Sequence, residues 1–236
     1  MRAIVILLFA ATAAAQPAPS ASTVLANVQA FYANKHQMTA TFHQTATIAT
    51  YNATKSSDGQ LWIEKPDSFR ADYVARKGSV VTVTRSFISD GSTLWVVDHQ
   101  NRQVVQSPVT STFSVPVAWS FLTGNPSALF NVTFNPSGAF GAANATVLEL
   151  TPKQPSAQLA KLFFVVDPTD FSVTESIVID SSGNTNHFTF TNANFKATVR
   201  ATTFQVNPAS LPTYKFTVPT PAAAPPAAAT STKKTP

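Results

Sequence analysis

The sequence predicts one mainly β domain, built on a large, strongly curved antiparallel sheet that approaches a partial barrel and is covered on one face by a few helices. Short runs of threonine, valine and aromatic residues recur between turn signals along most of the chain. Strands and helices do not alternate, which excludes a doubly wound fold. The 236 residues include no cysteine, so a hydrophobic core must stabilise the domain without disulfides.

Both ends of the chain are predicted to lie outside this domain. Arg2 and the apolar stretch after it, which ends at Ala15, have the positive start, apolar centre and small-residue exit of a signal peptide over residues 1–15. The stretch is shorter than the roughly 20 residues that a membrane-spanning helix needs. Residues 219–236 are rich in alanine and proline, which predicts a disordered tail. The domain is therefore expected over residues 16–218 of an exported protein.

One longer helix and two short ones are predicted within the domain. Hydrophobic residues between Val24 and Tyr32 recur at helical spacing, and Ser20 or Ser22 can cap the start, so this helix is expected from about Ser20 to Ala33. Two later segments have the composition of short helices. These segments are residues 115–122 and 126–130.

The remaining runs predict about ten antiparallel strands. Asp90-Gly91 is typical of a hairpin turn, and a second turn is expected from Asp180 to Gly183. Because few helices are available, they must cover only one face of the sheet. The predicted strands are residues 38–45, 59–64, 68–74, 79–88, 93–97, 145–150, 161–166, 172–179, 185–190 and 201–206.

The charged residues argue against nucleic-acid binding. The formal net charge is +5, but three of the 16 basic residues, Arg2, Lys233 and Lys234, lie in the terminal segments. The domain itself is therefore close to charge balance against 11 acidic residues. No run of lysine or arginine remains that could follow a phosphate backbone.

No catalytic or metal-binding motif stands out. The histidines at 36, 43, 99 and 187 are scattered and have no metal-ligand spacing. The seven glycines form no phosphate-binding loop. Asp98 and His99 are neighbours at a strand end, where successive side chains point to opposite faces, so they are not expected to act as a dyad. The sequence predicts a binding protein without a cofactor rather than an enzyme.

The aromatic content raises the question of a cavity. The chain has 18 phenylalanines, 3 tryptophans and 4 tyrosines, which is a large number for a sheet that few helices cover. Two interpretations stay open at this point. Either some of these side chains line a cavity on the concave side, or all of them form an ordinary core.

Two segments in fixed order carry a family resemblance. The first is GQLWIEKPDSFRADY, from Gly59 to Tyr73, and the second is SDGSTLWVVD, from Ser89 to Asp98. They resemble the LolA family of periplasmic outer-membrane lipoprotein carriers, whose recurring patterns are G-x-L-W-x-x-x-P-x-x-F-R-x-x-Y and S-D-G-x-x-L-W. The resemblance extends from about Val24 to Phe216.

This resemblance implies an incomplete antiparallel β-barrel, with an N-terminal helix and short helices that form a lid over an apolar concave face. It implies a soluble periplasmic monomer that takes up the acyl chains of lipoproteins from an inner-membrane lipoprotein-releasing ABC transporter and passes them to an outer-membrane acceptor. The alternative is a carrier or sensor of another amphiphile, such as a phospholipid, glycolipid or hopanoid. The remaining alternatives are a secreted enzyme without a visible catalytic site and a structural protein with a filled interior.

The resemblance and the strand pattern single out candidate residues for the cavity or its lid. Phe69, Ala71 and Tyr73 share one strand face because side chains alternate along a strand. For every candidate the alternative is core packing. The candidate cavity or lid-contact residues are Trp62, Phe69, Tyr73 and Trp95, followed by Phe42, Phe121, Phe163 and Phe188.

Two basic residues are candidates for contact with the lid or with a partner. Lys65 stands before Pro66, at a position where sequences of the LolA family typically have arginine. A lysine offers a single point charge, whereas an arginine offers a planar group with five donors. Arg70 matches the F-R pair of the family. Asp72 lies on the same strand face as Arg70, so an ion pair between them is the alternative role.

Overall fold

The computed structural model describes residues 18–109, 117–119, 121, 125–135, 139–142 and 144–218. The predicted signal peptide and the predicted tail lie outside these ranges, and so do four of the eight residues of the predicted helix at 115–122. Within these ranges, no helix has the length and hydropathy that a membrane span requires.

The N-terminal helix, α1, runs from Ala21 to Ala33 and confirms the prediction. Ser20 has an extended backbone and its Oγ accepts a hydrogen bond from the Thr23 amide, which satisfies one of the free donors of the first turn. One face of the helix is buried against the sheet. Its buried residues are Val24, Leu25, Val28 and Tyr32.

In the described part of the chain, twelve strands form one sheet in the spatial order β12-β6-β5-β4-β3-β2-β1-β11-β10-β9-β8-β7. Neighbours are antiparallel except β12 and β6, which are parallel. The sheet is curved, and it is open because β12 and β7 stand at its two edges and do not pair with each other. The strands are β1 (Gln37–Ile48), β2 (Ala53–Glu64), β3 (Ser68–Lys77), β4 (Val80–Asp90), β5 (Thr93–Asp98), β6 (Gln103–Pro108), β7 (Phe130–Phe134), β8 (Thr146–Pro152), β9 (Lys161–Val166), β10 (Val173–Ile179), β11 (Thr185–Asn194) and β12 (Lys215–Thr217).

The predicted strands differ from the structure at four places. Strands β6, β7 and β12 are absent from the predicted set, and the short helix α2 (Pro126–Leu129) ends where β7 begins. The predicted strand at 201–206 is wrong, because Ala201–Phe204 is a 3₁₀ helix. Its hydrogen bonds close locally, from the Thr203 amide to the Arg200 carbonyl at 2.9 Å, as the chain crosses the sheet.

The two faces of the sheet carry different clusters of buried side chains. The main core lies on the concave face, between the sheet, α1 and the 3₁₀ turn Val117–Trp119. On the convex face, the segment from Val206 to Phe216 covers Ile88, Val97 and Val104. A further convex cluster centres on β8 to β10, where Phe140 packs over Phe163.

Candidate functional site on the concave face

Aromatic side chains from alternate strand positions meet on the concave face. Phe42 of β1 lies 5.1 Å from Tyr73 of β3 and 5.8 Å from Phe188 of β11, measured between ring centroids. Phe188 and Phe190 are two residues apart and stack at 6.3 Å with an interplanar angle of 6°. Side chains alternate along a strand, so Phe188 and Phe190 project to the same face of the sheet. Phe42 and Tyr73 lie on that face as well, because the Phe42 ring contacts both Phe188 and Tyr73. The concave face therefore has an aromatic lining.

Two residues from the short segment before α2 fill this lining from above. Trp119 and Phe121, here called the plug, are each only 2% exposed. The Trp119 ring lies 5.5 Å from Phe69 and 6.0 Å from Phe188. The Phe121 ring lies 5.2 Å from Tyr32 and 5.2 Å from Phe164. The plug therefore fills the space between α1 and the sheet.

The plug is packed tightly but leaves one polar group without a partner. The indole Nε1 of Trp119 is buried and has no hydrogen-bond partner in the described part of the chain. A buried donor without an acceptor costs about 1–3 kcal/mol relative to a hydrated one. The docked plug is therefore less stable than its apolar contacts alone would make it.

An open pocket of about 550 Å³ adjoins the interior beyond Tyr73 and Phe87. The two rings are 5.7 Å apart and lie at the border of the main core. Burial raises the pKa of Tyr73 to about 12, against the opposing effect of Arg85. The pairing of β3 with β4 shifts register between Tyr73 and Val74, so a bulge lies at the pocket. Such bulges re-aim side chains near binding sites.

The structure brings five of the eight aromatic candidates together on the concave face. They are Phe42, Phe69, Tyr73, Phe121 and Phe188. The other three lie elsewhere. Trp62 is on the convex face of β2, with the Arg70 guanidinium 5.9 Å from its ring. Trp95 packs beneath the segment from Val206 to Phe216, and Phe163 beneath Phe140.

The two basic candidates have different surroundings. The Nζ of Lys65 donates to the Tyr32 carbonyl at the end of α1, and partial burial lowers the pKa of Lys65. Lys65 thus binds the helix that covers the concave face. Arg70 donates through Nε to both carboxylate oxygens of Asp72 at 3.0 Å, and through Nη1 to the Thr203 carbonyl at 3.4 Å. The expected alternative for Arg70, a pair with Asp72, is present.

Phe190 of the lining and Phe87 at the pocket are absent from the sequence candidates, and so is Trp119 of the plug. Trp119 stands two residues before Phe121, and in the predicted helix at 115–122 that spacing would place the two rings on different faces. In the structure Val117–Trp119 is a 3₁₀ turn and both rings enter the core. Across the described residues, no group of three or more His, Cys, Asp or Glu side chains could hold a metal ion.

Comparison with known families gives a match over most of this fold. The family model described as outer membrane lipoprotein carrier protein LolA matches residues 33–207. The chain belongs to the LolA family. The matched range contains the plug and the whole aromatic lining, whereas most of α1 precedes it.

Two relatives, each called an outer-membrane lipoprotein carrier protein, agree with LolA membership. That of Wigglesworthia glossinidia brevipalpis is 23% identical over 168 residues, which cover 71% of this chain and 73% of the relative. That of Chromobacterium violaceum is 29% identical over 133 residues, which cover 56% of this chain and 60% of the relative. The crystal structure of an uncharacterized conserved protein from Thermus thermophilus has the same fold, with a TM-score of 0.52 at 12% identity over 84% of this chain and 99% of that one.

Proposed function

We propose that this LolA-family protein is a soluble periplasmic carrier that takes up the acyl chains of lipoproteins released from the inner membrane and delivers them to the outer membrane. The observation that carries the proposal is the aromatic concave face, filled by a plug of two residues. Family membership supports a carrier role over an enzymatic one. The proposed partners are an inner-membrane lipoprotein-releasing ABC transporter and an outer-membrane acceptor.

A carrier must shield acyl chains from water and still release them. Each buried methylene group contributes about 0.8 kcal/mol, so a long chain does not cross water unaided. When an acyl chain displaces the plug, one apolar occupant replaces another, and the net change in free energy is much smaller than the burial itself. The displaced Trp119 Nε1 also regains hydrogen bonds to water. Loading and release can then both proceed by exchange.

The lid of this carrier is proposed to consist of α1 and the plug. Lys65 holds the end of α1 through the Tyr32 carbonyl, and the Tyr32 hydroxyl accepts a hydrogen bond from the Val173 amide at 3.0 Å. These contacts connect α1 to both halves of the sheet. Phe121 also packs on Tyr32, so movement of the plug and of α1 is coupled through that ring.

Site-directed photo-cross-linking tests the proposal. A benzophenone amino acid at Phe69 lies beside the plug on the concave face, and the same amino acid at Trp95 lies on the convex face. When the full-length chain is expressed in its own cells and irradiated, we expect lipoprotein adducts from position 69 and none from position 95. Melting temperatures of both variants establish that they fold. Equal adducts at both positions, or none at 69 in a folded variant, would contradict the proposal.

A further inference from the structure

The pocket beside the concave interior combines an apolar floor with a basic rim. Tyr73 and Phe87 form the floor, and both rings also pack against the main core. Lys55 and Arg85 are exposed at the rim. The described lining includes no acidic residue. A site with this division matches a molecule that has apolar chains at one end and a negative charge at the other.

The two cations are available to a ligand to different degrees. Lys55 forms no ion pair within the part of the chain that the structure describes, and its side chain is exposed. Arg85 has only a loose contact with Asp98, at 3.6 Å between Nη2 and Oδ2. Asp98 is engaged by its own turn, because it accepts from the Asn101 amide at 2.9 Å and from Asn101 Nδ2 at 3.0 Å. Both positive charges can therefore serve an incoming anion.

Polar groups near these cations can complete a headgroup site. The Tyr73 hydroxyl has no hydrogen-bond partner among the described residues. As an ordinary tyrosine it is a donor at neutral pH, and burial raises its pKa further, to about 12. Ser57 and Gln100 also line the pocket. A second pocket of about 540 Å³ lies beside α2, but its cation is not free for a ligand. Its lysine, Lys153, already donates to the Ser127 carbonyl at 3.0 Å.

We propose that the pocket bounded by Lys55 and Arg85 binds the anionic headgroup of a diacyl phospholipid whose acyl chains enter the concave interior. This inference rests on the proposed function, because it uses the same interior once the plug has moved. It goes beyond that function by naming a second class of ligand, a phospholipid, whose headgroup carries a negative charge that the diacylglyceryl anchor of a lipoprotein does not have. The phosphate lies against the two cations, and the Tyr73 hydroxyl donates to it.

The test compares two probes that differ only in the headgroup. Phosphatidylglycerol and diacylglycerol with identical pyrene-labelled chains are titrated into the full chain at low salt, with energy transfer from tryptophan as the signal. We expect phosphatidylglycerol to bind about five- to twenty-fold more tightly, since each exposed charge pair contributes roughly two- to five-fold. Raising the salt concentration should narrow this difference because exposed charges are screened.

Matched variants assign the effect to the pocket. Lys55→Gln combined with Arg85→Gln is expected to bring phosphatidylglycerol to the affinity of diacylglycerol. Lys196→Gln is the control, because this exposed residue follows Asn194, which pairs with Thr39 at the opposite end of β1. It should leave the preference unchanged.

The outcomes separate this inference from the carrier function. Equal affinity of the wild-type protein for both probes would overturn the headgroup site and leave the carrier function intact. A preference that persists in the folded double variant would also overturn it. Failure of both probes to bind the folded protein would contradict the carrier function itself.

Discussion

Replacing Trp119 with alanine tests whether the plug occupies the space of a ligand. Truncation of a fully buried tryptophan ordinarily lowers the free energy of unfolding by about 3–5 kcal/mol. The same change removes the buried Nε1 that lacks a hydrogen-bond partner, which by itself should raise the free energy of unfolding by about 1–3 kcal/mol. We therefore expect a net loss of about 2 kcal/mol for Trp119→Ala. Trp119→Phe, which keeps a ring and removes Nε1, should stay within about 1 kcal/mol of the wild type.

Urea unfolding gives these free energies, and titration with pyrene-labelled diacylglycerol gives the affinity. Because the vacated space lies against Phe69 and Phe188, Trp119→Ala should bind the probe more tightly while being less stable. Trp95→Ala removes a tryptophan from the convex face and should lower stability without changing the affinity. Weaker probe binding by a folded Trp119→Ala protein would refute the displacement of the plug by a ligand.

Three further substitutions probe the sheet around the site. Gly59→Ala should lower the free energy of unfolding by about 1–3 kcal/mol in urea, because a Cβ there would clash with the Phe42 ring; an unchanged midpoint would contradict this packing. Arg70→Met leaves the buried Asp72 carboxylate unpaired and should lower the free energy of unfolding by about 2–3 kcal/mol. This is less than the loss expected when a fully buried ion pair is broken, because Arg70 is partly exposed, and Asp72→Leu in the same protein should restore part of it. Burial lowers the pKa of His99, so the unfolded state binds its proton first, and stability should fall as the pH drops below about 6.5; His99→Gln should flatten that part of the pH profile.

The main features of the fold could be predicted because they follow from periodicity. The helical spacing between Val24 and Tyr32 and the alternation around Phe69 each appear in the structure as a buried face. Strand β12 could not be predicted, because three residues are too few to show a pattern and it forms only by pairing with β6. The alternation at 201–206 predicted a strand wrongly, because only Phe204 is buried there and, within the described residues, no strand pairs with this segment.

The candidate site could be predicted only in part. Alternation places Phe69, Ala71 and Tyr73 on one face of their strand, but it does not say which face of the sheet is concave or that Phe42 of another strand shares it. Trp62 and Trp95 are large aromatic residues within the family patterns, but both lie on the convex face. Trp119 was missed because its position depends on a 3₁₀ turn and on contacts with Phe69 and Phe188, which are far away in sequence.

Native mass spectrometry of the exported protein, purified from its own cell envelope without detergent, tests the carrier function most directly. Lipid extraction of the same sample identifies any acyl chains. The carrier function predicts a fraction of the protein bound to an acylated protein, and this fraction should fall when Phe69 is replaced by glutamate in a protein that remains folded. A ligand-free mass in repeated preparations of the wild-type protein would contradict it.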